Sequence, residues 1–344
     1  MRLSEFDYDL PSDLIAQEPL AERDASRMLV LDRQRETFSD QAFKDFPGYL
    51  RENDVVVVNN SRVIPARLKG RREETGGQVE IFLVRELEPK LWEALVRPGG
   101  RLKKSSKVVF GNGQLSAEIT DGPGSDLRRV RFVCEGSFDE FLEGIGVTPL
   151  PPYIRRSTDS PAEDRERYQT VYAKQRGAIA APTAGLHFTP AVLAEIEARA
   201  SLAEVTLHVG YGTFEPVRVD DVDQHLVSAE RYEISAAAAE TIDSARTKGG
   251  RVIVVGTTTL RALESSSTEA GEVCPGAGEA TLTIKPGYKF RVADALLTNF
   301  HLPQSSLLIL VSAFAGREFV LRAYRHAVEQ QYRFYSYGDC MLIL

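Results

Sequence analysis

Between Ala66 and Glu135 the chain is built of short apolar or β-branched runs: Val79–Val84, Leu91–Val96, Lys107–Phe110, Leu115–Ile119 and Val130–Cys134. Turn clusters separate them: Glu74-Thr75-Gly76-Gly77, Pro98-Gly99-Gly100, Gly111-Asn112-Gly113 and Asp121-Gly122-Pro123-Gly124. Turns about ten residues apart leave no room for a helical period, so the expectation is a small antiparallel sheet, closed or half-closed as a barrel. A short helix follows at Phe138–Glu143, with Ser137 and Glu140 as a capping box and Gly144 as a left-handed stop.

On either side of this stretch the pattern is different. Beyond Pro149-Leu150-Pro151-Pro152, helices alternate with strands. Thr189 caps a helix that has Pro190 at its first position and runs to about Ala200. Val205–Val209 reads as a strand, Ser235–Lys248 as an Ala-rich helix, Arg251–Val255 as a buried strand, Leu307–Val311 as strand-like and Gly316–Gln331 as a helix. Before residue 66 the one clear strand is Val55-Val56-Val57-Val58. A single strand cannot make a domain, so residues 1–66 join residues 151–344. The predicted fold class is α/β: a discontinuous main domain (1–66 and 151–344) with a small, barrel-like all-β domain inserted at 67–150.

Composition narrows the function. The net charge of −7 speaks against a broadly basic nucleic-acid surface, yet the charge is uneven. Residues 67–150 hold 14 Lys+Arg against 13 Asp+Glu, which leaves 28 against 36 elsewhere. Arg97, Arg101, Lys103, Lys104 and Lys107 form a run without a negative charge, which is either a solvated face or a phosphate contact. Three widely separated cysteines, Cys134, Cys274 and Cys340, have neither disulfide-framework nor zinc spacing, so a reducing compartment is expected. The first residues lack a signal-peptide apolar run, and the most apolar stretch is far too short to span a membrane. The expectation is a cytoplasmic monomer with no membrane contact and no metal.

Four segments place small, polar and ionisable residues just beyond strands, where α/β sheets bind ligands. Asn59-Asn60-Ser61-Arg62 offers amides and an arginine able to grip a carboxylate or phosphate, or else forms an Asx turn with a surface arginine. Ala180–Thr189 contains Thr183, Gly185 and His187 before a helix start; the histidine is either an acid–base group or packed in a turn. Leu207–Glu215 contains His208, Tyr211, Phe214 and Glu215 around a Gly-x-Gly, with aromatic faces that suit a cation or the core. Val255–Arg261 reads strand, glycine, hydroxyl cluster, helix, and is either a carboxylate-cradling turn or an N-cap of threonines. Thr298-Asn299-Phe300-His301 adds an amide and a histidine, whereas His326 reads as a surface residue in mid-helix.

Taken in order, ten blocks resemble one family. They are Phe6–Pro11 (FDYDLP), Ile15–Gln17 (IAQ), Asn59–Leu68 (NNSRVIPARL), Pro149–Ile154 (PLPPYI) and Tyr168–Ala173 (YQTVYA). Then come Ala181–Thr189 (APTAGLHFT), His208–Val219 (HVGYGTFEPVRV), Val254–Glu264 (VVGTTTLRALE), Thr298–Gly316 (TNFHLPQSSLLILVSAFAG) and Tyr332–Leu342 (YRFYSYGDCML). The chain resembles the S-adenosylmethionine:tRNA ribosyltransferase-isomerases of queuosine biosynthesis. The resemblance spans nearly all of it and is weakest across the β-rich insertion and Ser265–Ala280.

It implies an enzyme that takes the ribosyl group, not the methyl group, from S-adenosylmethionine as co-substrate, with no true cofactor. The acceptor is the aminomethyl group of 7-aminomethyl-7-deazaguanine at the tRNA wobble position; the products are epoxyqueuosine-tRNA, adenine and methionine. A base removes the C5′ proton acidified by the sulfonium, and adenine is eliminated. The amine then adds at C4′, and the ylide closes on C1′ with loss of methionine. On this reading His187, His208, Glu215 and Glu230 are the catalytic candidates. Asn59, Arg62, Thr183, Gly185, Tyr211, Thr257, Thr258, Arg261, Asn299 and His301 are the substrate-binding ones. The tRNA-binding candidates are Arg101, Lys103, Lys104, Lys107, Arg155 and Arg156, meeting the anticodon stem-loop. One departure stands out: family members carry a second histidine shortly after His225, where this chain has Ser228. A tRNA methyltransferase, or an inactive tRNA-binding homologue, would differ in where the S-methyl group ends and in releasing no adenine.

Overall fold

Four mutually parallel strands carry the middle of the fold. They are β3 (Val55–Asn59), β12 (Ser201–Leu207), β14 (Val252–Val255) and β16 (Ala295–Asn299), in the spatial order β12-β3-β14-β16. The computed structural model describes residues 1–99, 102–121, 127–156, 162–214 and 216–344, with Ala162, Thr213 and Phe214 described by their backbone alone. The turn residues Gly100 and Gly122-Pro123-Gly124 therefore lie outside the described residues. Valines fill β3 and β14 because both faces of a parallel sheet are covered by other layers, and every residue of these two strands is buried.

Among the described residues the sheet has nine strands. Beyond β12 lie β13 (Glu230–Ile234) and β15 (Gly276–Ala280), both in antiparallel pairing. Beyond β16 come β17 (Cys340–Ile343), then β1 (Arg27–Asp32) and β2 (Thr37–Ala42). Around the sheet pack α3 (Pro190–Glu197), α4 (Ala236–Thr247), α5 (Thr257–Ser266), α6 (Ser306–Ala315) and α7 (Arg317–Glu329). Thr189, Ser235 and Ser305 cap α3, α4 and α6, each accepting a backbone N–H with its hydroxyl.

A closed antiparallel barrel of six strands joins β5 (Arg67–Arg72), β6 (Gln78–Glu88), β7 (Leu91–Arg97), β8 (Lys107–Phe110), β9 (Leu115–Ile119) and β10 (Leu127–Cys134). Alternate side chains fill it: Val79, Ile81 and Leu83 from β6, Trp92, Ala94 and Val96 from β7, Val130 and Phe132 from β10. Gly70 leaves the space that Phe110 fills, since a Cβ there would lie 2.7 Å from the ring. After the barrel come α1 (Phe138–Ile145), α2 (Ala162–Arg167) and β11 (Gln175–Ala178), which pairs with β4 (Ser61–Val63).

Several expectations are corrected. Leu307–Val311 lies in helix α6, not a strand; the run is apolar on nearly every side of a buried helix, and periodicity does not separate that from a buried strand. The N-terminal stretch holds four strands, not one. In β1 a polar residue at each end hides the apolar run, and β2 is a largely exposed edge with little to mark it. Helix α1 passes through Gly144 and stops at Gly146, which has an ordinary φ of −75°. Glycine is needed at 146 for a close approach, because a Cβ would sit 2.2 Å from the Pro65 carbonyl oxygen. Ser137 does accept the Glu140 N–H at 3.4 Å. The strand placed at Val205–Val209 begins at Ser201 and ends at Leu207, and the helix capped by Thr189 ends at Glu197.

Candidate active site

The carboxyl ends of β3, β12, β14 and β16 share one edge, because these strands are parallel. A cavity of about 580 Å³ opens there. Just beyond β12 comes Val209; just beyond β14 come Gly256 and, opening α5, Thr257 and Thr258; from the end of β16 come Thr298 and Asn299, with His301 two residues on. Thr183 and its neighbours add a 3-10 turn, Thr183–His187. Gly256, at a φ of 88°, turns β14 directly into α5 without a side-chain cap. The residues that open α5 line the cavity, and the uncapped N–H groups of a helix start favour an anion.

Asn59 does not line the cavity but organises it. Fully buried, it accepts the N–H groups of Ser61 and Leu207 at 3.0 Å each and donates to the Leu207 carbonyl at 2.9 Å and the Thr258 hydroxyl at 3.4 Å. One amide therefore ties β3, β12 and the start of α5 together.

His187 also works from behind the wall. The Asn299 amide donates to the carbonyls of Tyr335 at 2.9 Å and Ser336 at 3.3 Å, which turns its oxygen toward His187. Nε2 of the imidazole donates to that oxygen at 3.0 Å, and Nδ1 accepts from the Ser26 hydroxyl at 2.7 Å. Burial lowers the His187 pKa to about 4, so the ring is neutral with both nitrogens engaged. His301 is in the cavity wall, with Nε2 against the Thr298 hydroxyl at 3.1 Å and its pKa lowered by burial to about 3.

A second cavity of about 480 Å³ adjoins the first at Leu307. His225, Ser228, Glu230 and Arg261 line it. Glu230 accepts the Gly210 N–H at 2.9 Å and pairs with Arg261, which also donates to the carbonyls of Ser228, Ala280 and Leu282. Burial raises the proton affinity of Glu230, while Arg261 opposes the rise. Arg261 is thus committed within the protein. Ser228 packs its side chain 2.7 Å from where a Cβ of Gly212 would be.

The other sequence candidates are dispersed. The ring of His208 stacks over Gly177 and lines neither cavity; its Nδ1 is buried without a partner, and burial lowers its pKa. Tyr211 packs edge-on against Phe82 of the barrel, with ring centroids 6.2 Å apart. Gly185 is buried where a Cβ would meet the Tyr172 hydroxyl at 2.0 Å. Arg62, Lys103, Lys104, Lys107 and Arg155 are exposed. Arg156 is held two-pronged by Asp164, at 2.9 Å on both arms. His326 is half-buried and bonded to Asp40 at 3.0 Å. Glu215 and Arg101 lie outside the described residues. Among the described residues no group of three or more His, Cys, Asp or Glu is arranged to hold a metal ion, and no helix is long and apolar enough to cross a membrane.

Reasoning from motifs missed the aromatic wall. Tyr153, Tyr168 and Tyr335 line the first cavity, with the Tyr153 and Tyr335 rings 4.0 Å apart. Tyr335 holds a φ of 74°, a costly conformation for an aromatic residue, and one found at functional sites. The signal was present in Tyr332–Tyr337, where four of six residues are aromatic.

A family model described as queuosine biosynthesis protein matches residues 3–343. The S-adenosylmethionine:tRNA ribosyltransferase-isomerase of Pelotomaculum thermopropionicum is 52% identical over 345 residues, and that of Desulforamulus reducens 50%, each covering the whole of both chains. A crystal structure of the S-adenosylmethionine tRNA ribosyltransferase from Thermotoga maritima, 37% identical, aligns with a TM-score of 0.57 over 99% of this chain and all of that one.

Proposed function

The chain belongs to the family of queuosine biosynthesis proteins, and from that premise we propose that it moves the ribosyl group of S-adenosylmethionine onto 7-aminomethyl-7-deazaguanine at the wobble position of a tRNA. It is an enzyme of the transferase and isomerase class its relatives are named for. Epoxyqueuosine-tRNA, adenine and methionine are the products. The observation that carries the reading is the convergence of Thr183, Thr257, Thr258, Asn299 and His301 on one cavity at the carboxyl edge of four parallel strands. Those residues come from three separated segments of the chain.

The residues divide the work by their chemistry. The free N–H groups at the start of α5 take the methionine carboxylate, a role that Arg62 and Arg261 are not placed to fill. Thr183, Thr257 and Thr258 supply hydroxyls for the ribose. The tyrosine wall presents aromatic faces to the sulfonium, an attraction of about 0.5–2 kcal/mol. Asn299, fixed by His187, holds a ligand polar group against that wall.

Glu230 takes the proton-transfer role. Its burial brings a carboxylate toward the working pH, which is what acid–base catalysis requires. His187 is a positioning residue acting through Asn299, and His208 lines neither cavity. The replacement Glu230→Gln keeps a hydrogen-bonding shape and should cut turnover by about 10²-fold; unchanged turnover removes Glu230 from the chemistry.

The overall reaction is tested with methyl-labelled S-adenosylmethionine and an anticodon stem-loop carrying 7-aminomethyl-7-deazaguanine. Free adenine with the label in methionine is the expected result. Label in the RNA, with S-adenosylhomocysteine released, overturns it.

A further inference from the structure

On the far side of the His187–Asn299 pair lies a third cavity, of about 310 Å³. Ser336 lines both this cavity and the first, so the two are neighbours through one wall. The new one is cationic. Arg23 and Arg167 line it, and Arg333 is near enough for its charge to disfavour protonation of His187.

None of these arginines has a salt-bridge partner among the described residues, although Arg23 feels the charge of Glu166 and Arg333 that of Asp339. Arg23 donates to the carbonyls of Leu186 at 3.2 Å and Glu166 at 3.1 Å. Arg167 donates to those of Ala21 at 2.9 Å and Leu20 at 2.5 Å, and Arg333 to that of Glu18. Among the described residues no carboxylate pairs with any of the three. Asp339, whose charge Arg333 feels, is taken up by the backbone N–H groups of Arg27 and Arg333. Burial, and then repulsion from Arg167, pulls Arg23 below the usual guanidinium range.

Three buried donors here are left without a partner: Nε of Arg167, one Nη of Arg333 and the hydroxyl of Tyr337. Tyr337 is only 5% exposed, and it lines this cavity. A buried donor without an acceptor costs free energy, so its persistence beside two unpaired cations points to a ligand that brings oxygens and negative charge.

We propose that Arg23, Arg167 and Tyr337 form a subsite for one phosphodiester oxyanion of a bound RNA strand. The proposal rests on the RNA-substrate reading above. A phosphodiester fits better than the methionine carboxylate for two reasons. The carboxylate has the start of α5 inside the first cavity, and the arginine cavity is walled off from it. A polymer that sends one base into the first cavity leaves its backbone outside, alongside the wall, where Arg23 and Arg167 are half-buried residues.

The experiment titrates a fluorescently labelled anticodon stem-loop against the full chain at several salt concentrations, and measures S-adenosylmethionine binding in parallel. Arg167→Gln should weaken RNA binding at least about tenfold and flatten the log–log salt slope by about 0.7, the single-strand value for one phosphate. Arg167→Lys should restore the slope but only part of the affinity, because it keeps the charge and loses the fork. Arg167 also holds two backbone carbonyls, so Tyr337→Phe is the control for misfolding. It removes a hydroxyl that bonds nothing and should still weaken RNA binding several-fold, with S-adenosylmethionine affinity intact.

RNA affinity and slope unchanged in both Arg167→Gln and Tyr337→Phe would overturn the proposal. So would a loss confined to S-adenosylmethionine, which would make this a carboxylate site. Inorganic phosphate alone raising the Tm, lost in the variants while RNA affinity holds, would overturn it in favour of a free anion. A wild-type chain that binds the stem-loop without releasing adenine breaks the ribosyl-transfer reading, yet leaves this test readable.

Discussion

The barrel and the sheet bury different things. Among the described residues of 67–134, Arg128 is the one polar side chain that is buried. The carboxyl edge of the sheet buries Asn59, Asn60, Ser61, Thr257, Thr258, Thr298, Asn299 and His301. A barrel that seals hydrocarbon around one paired arginine is a packing solution, whereas a sheet that desolvates amides, hydroxyls and imidazoles is spending stability on a candidate site. The contrast assigns chemistry to one region and leaves shape and surface charge to the other.

The largest effects should be equal in size and opposite in origin. In the barrel Phe132 packs against Phe138 and Phe110, with centroids 4.8 and 6.1 Å apart, and Phe132→Ala should cost about 3–5 kcal/mol by leaving a cavity. In the sheet Asp54 is fully buried and pairs with Arg251 at 2.7 Å; Asp54→Ala should also cost about 3–5 kcal/mol, by stranding a charge. Denaturant unfolding measures both. A cost below 1 kcal/mol for either would mean the two regions are not held together as described.

Acid should separate the regions next. All five histidines lie outside residues 67–150. His187 and His301 are held near pKa values of about 4 and about 3, below the unfolded value of 6.5. The unfolded chain therefore binds the extra protons, so stability is full above pH 6.5 and is lost as the pH falls toward 4. At about 1.4 kcal/mol per pH unit, each histidine removes about 2 kcal/mol between pH 6.5 and pH 5. Hydrogen exchange should show the sheet loosening before the barrel, and His187→Gln should flatten the loss. Equal loosening in both regions breaks the comparison.

Surface charge gives a smaller effect. If the barrel's exposed Lys103 and Lys104 touch tRNA phosphates, reversing both to Glu should weaken stem-loop binding by about tenfold and flatten its salt dependence, leaving S-adenosylmethionine affinity unchanged. Unaltered RNA affinity returns them to solvent. The smallest effect belongs to Glu93, paired with Arg85 at 2.9 Å on the barrel surface. There Glu93→Ala should cost less than about 1 kcal/mol, in contrast to Asp54.

The same contrast governed what could be read from the sequence. The barrel strands Lys107–Phe110 and Leu115–Ile119 were legible to the residue, because alternation with turns is a local signal. The sheet was legible where one strand is an unbroken valine run, and illegible at β2, β15 and β17, whose places depend on distant partners. Helix α6 shows the same limit, since burial on all sides erases the period that marks a helix. In the site, Thr257 and Thr258 were found because they follow a valine strand closely, whereas Asn299 and His301 were picked out as an amide and a histidine before an apolar run that folds as α6, while β16, on which Asn299 sits, went unread. The tyrosine wall and the Ser26–His187–Asn299 chain join residues far apart in sequence, and local spacing carries no record of them.

The position of β17 has a consequence for how the chain is made. Among the described residues the β1–β2 hairpin pairs with the rest of the sheet through residues 340–343, which lie between it and β16. During synthesis the hairpin must wait, its apolar face uncovered, until residues 340–343 have followed. The barrel closes on neighbours in sequence and can finish long before. Translation therefore delivers a completed barrel attached to an open sheet, and in that interval the hairpin is the part most in need of a chaperone.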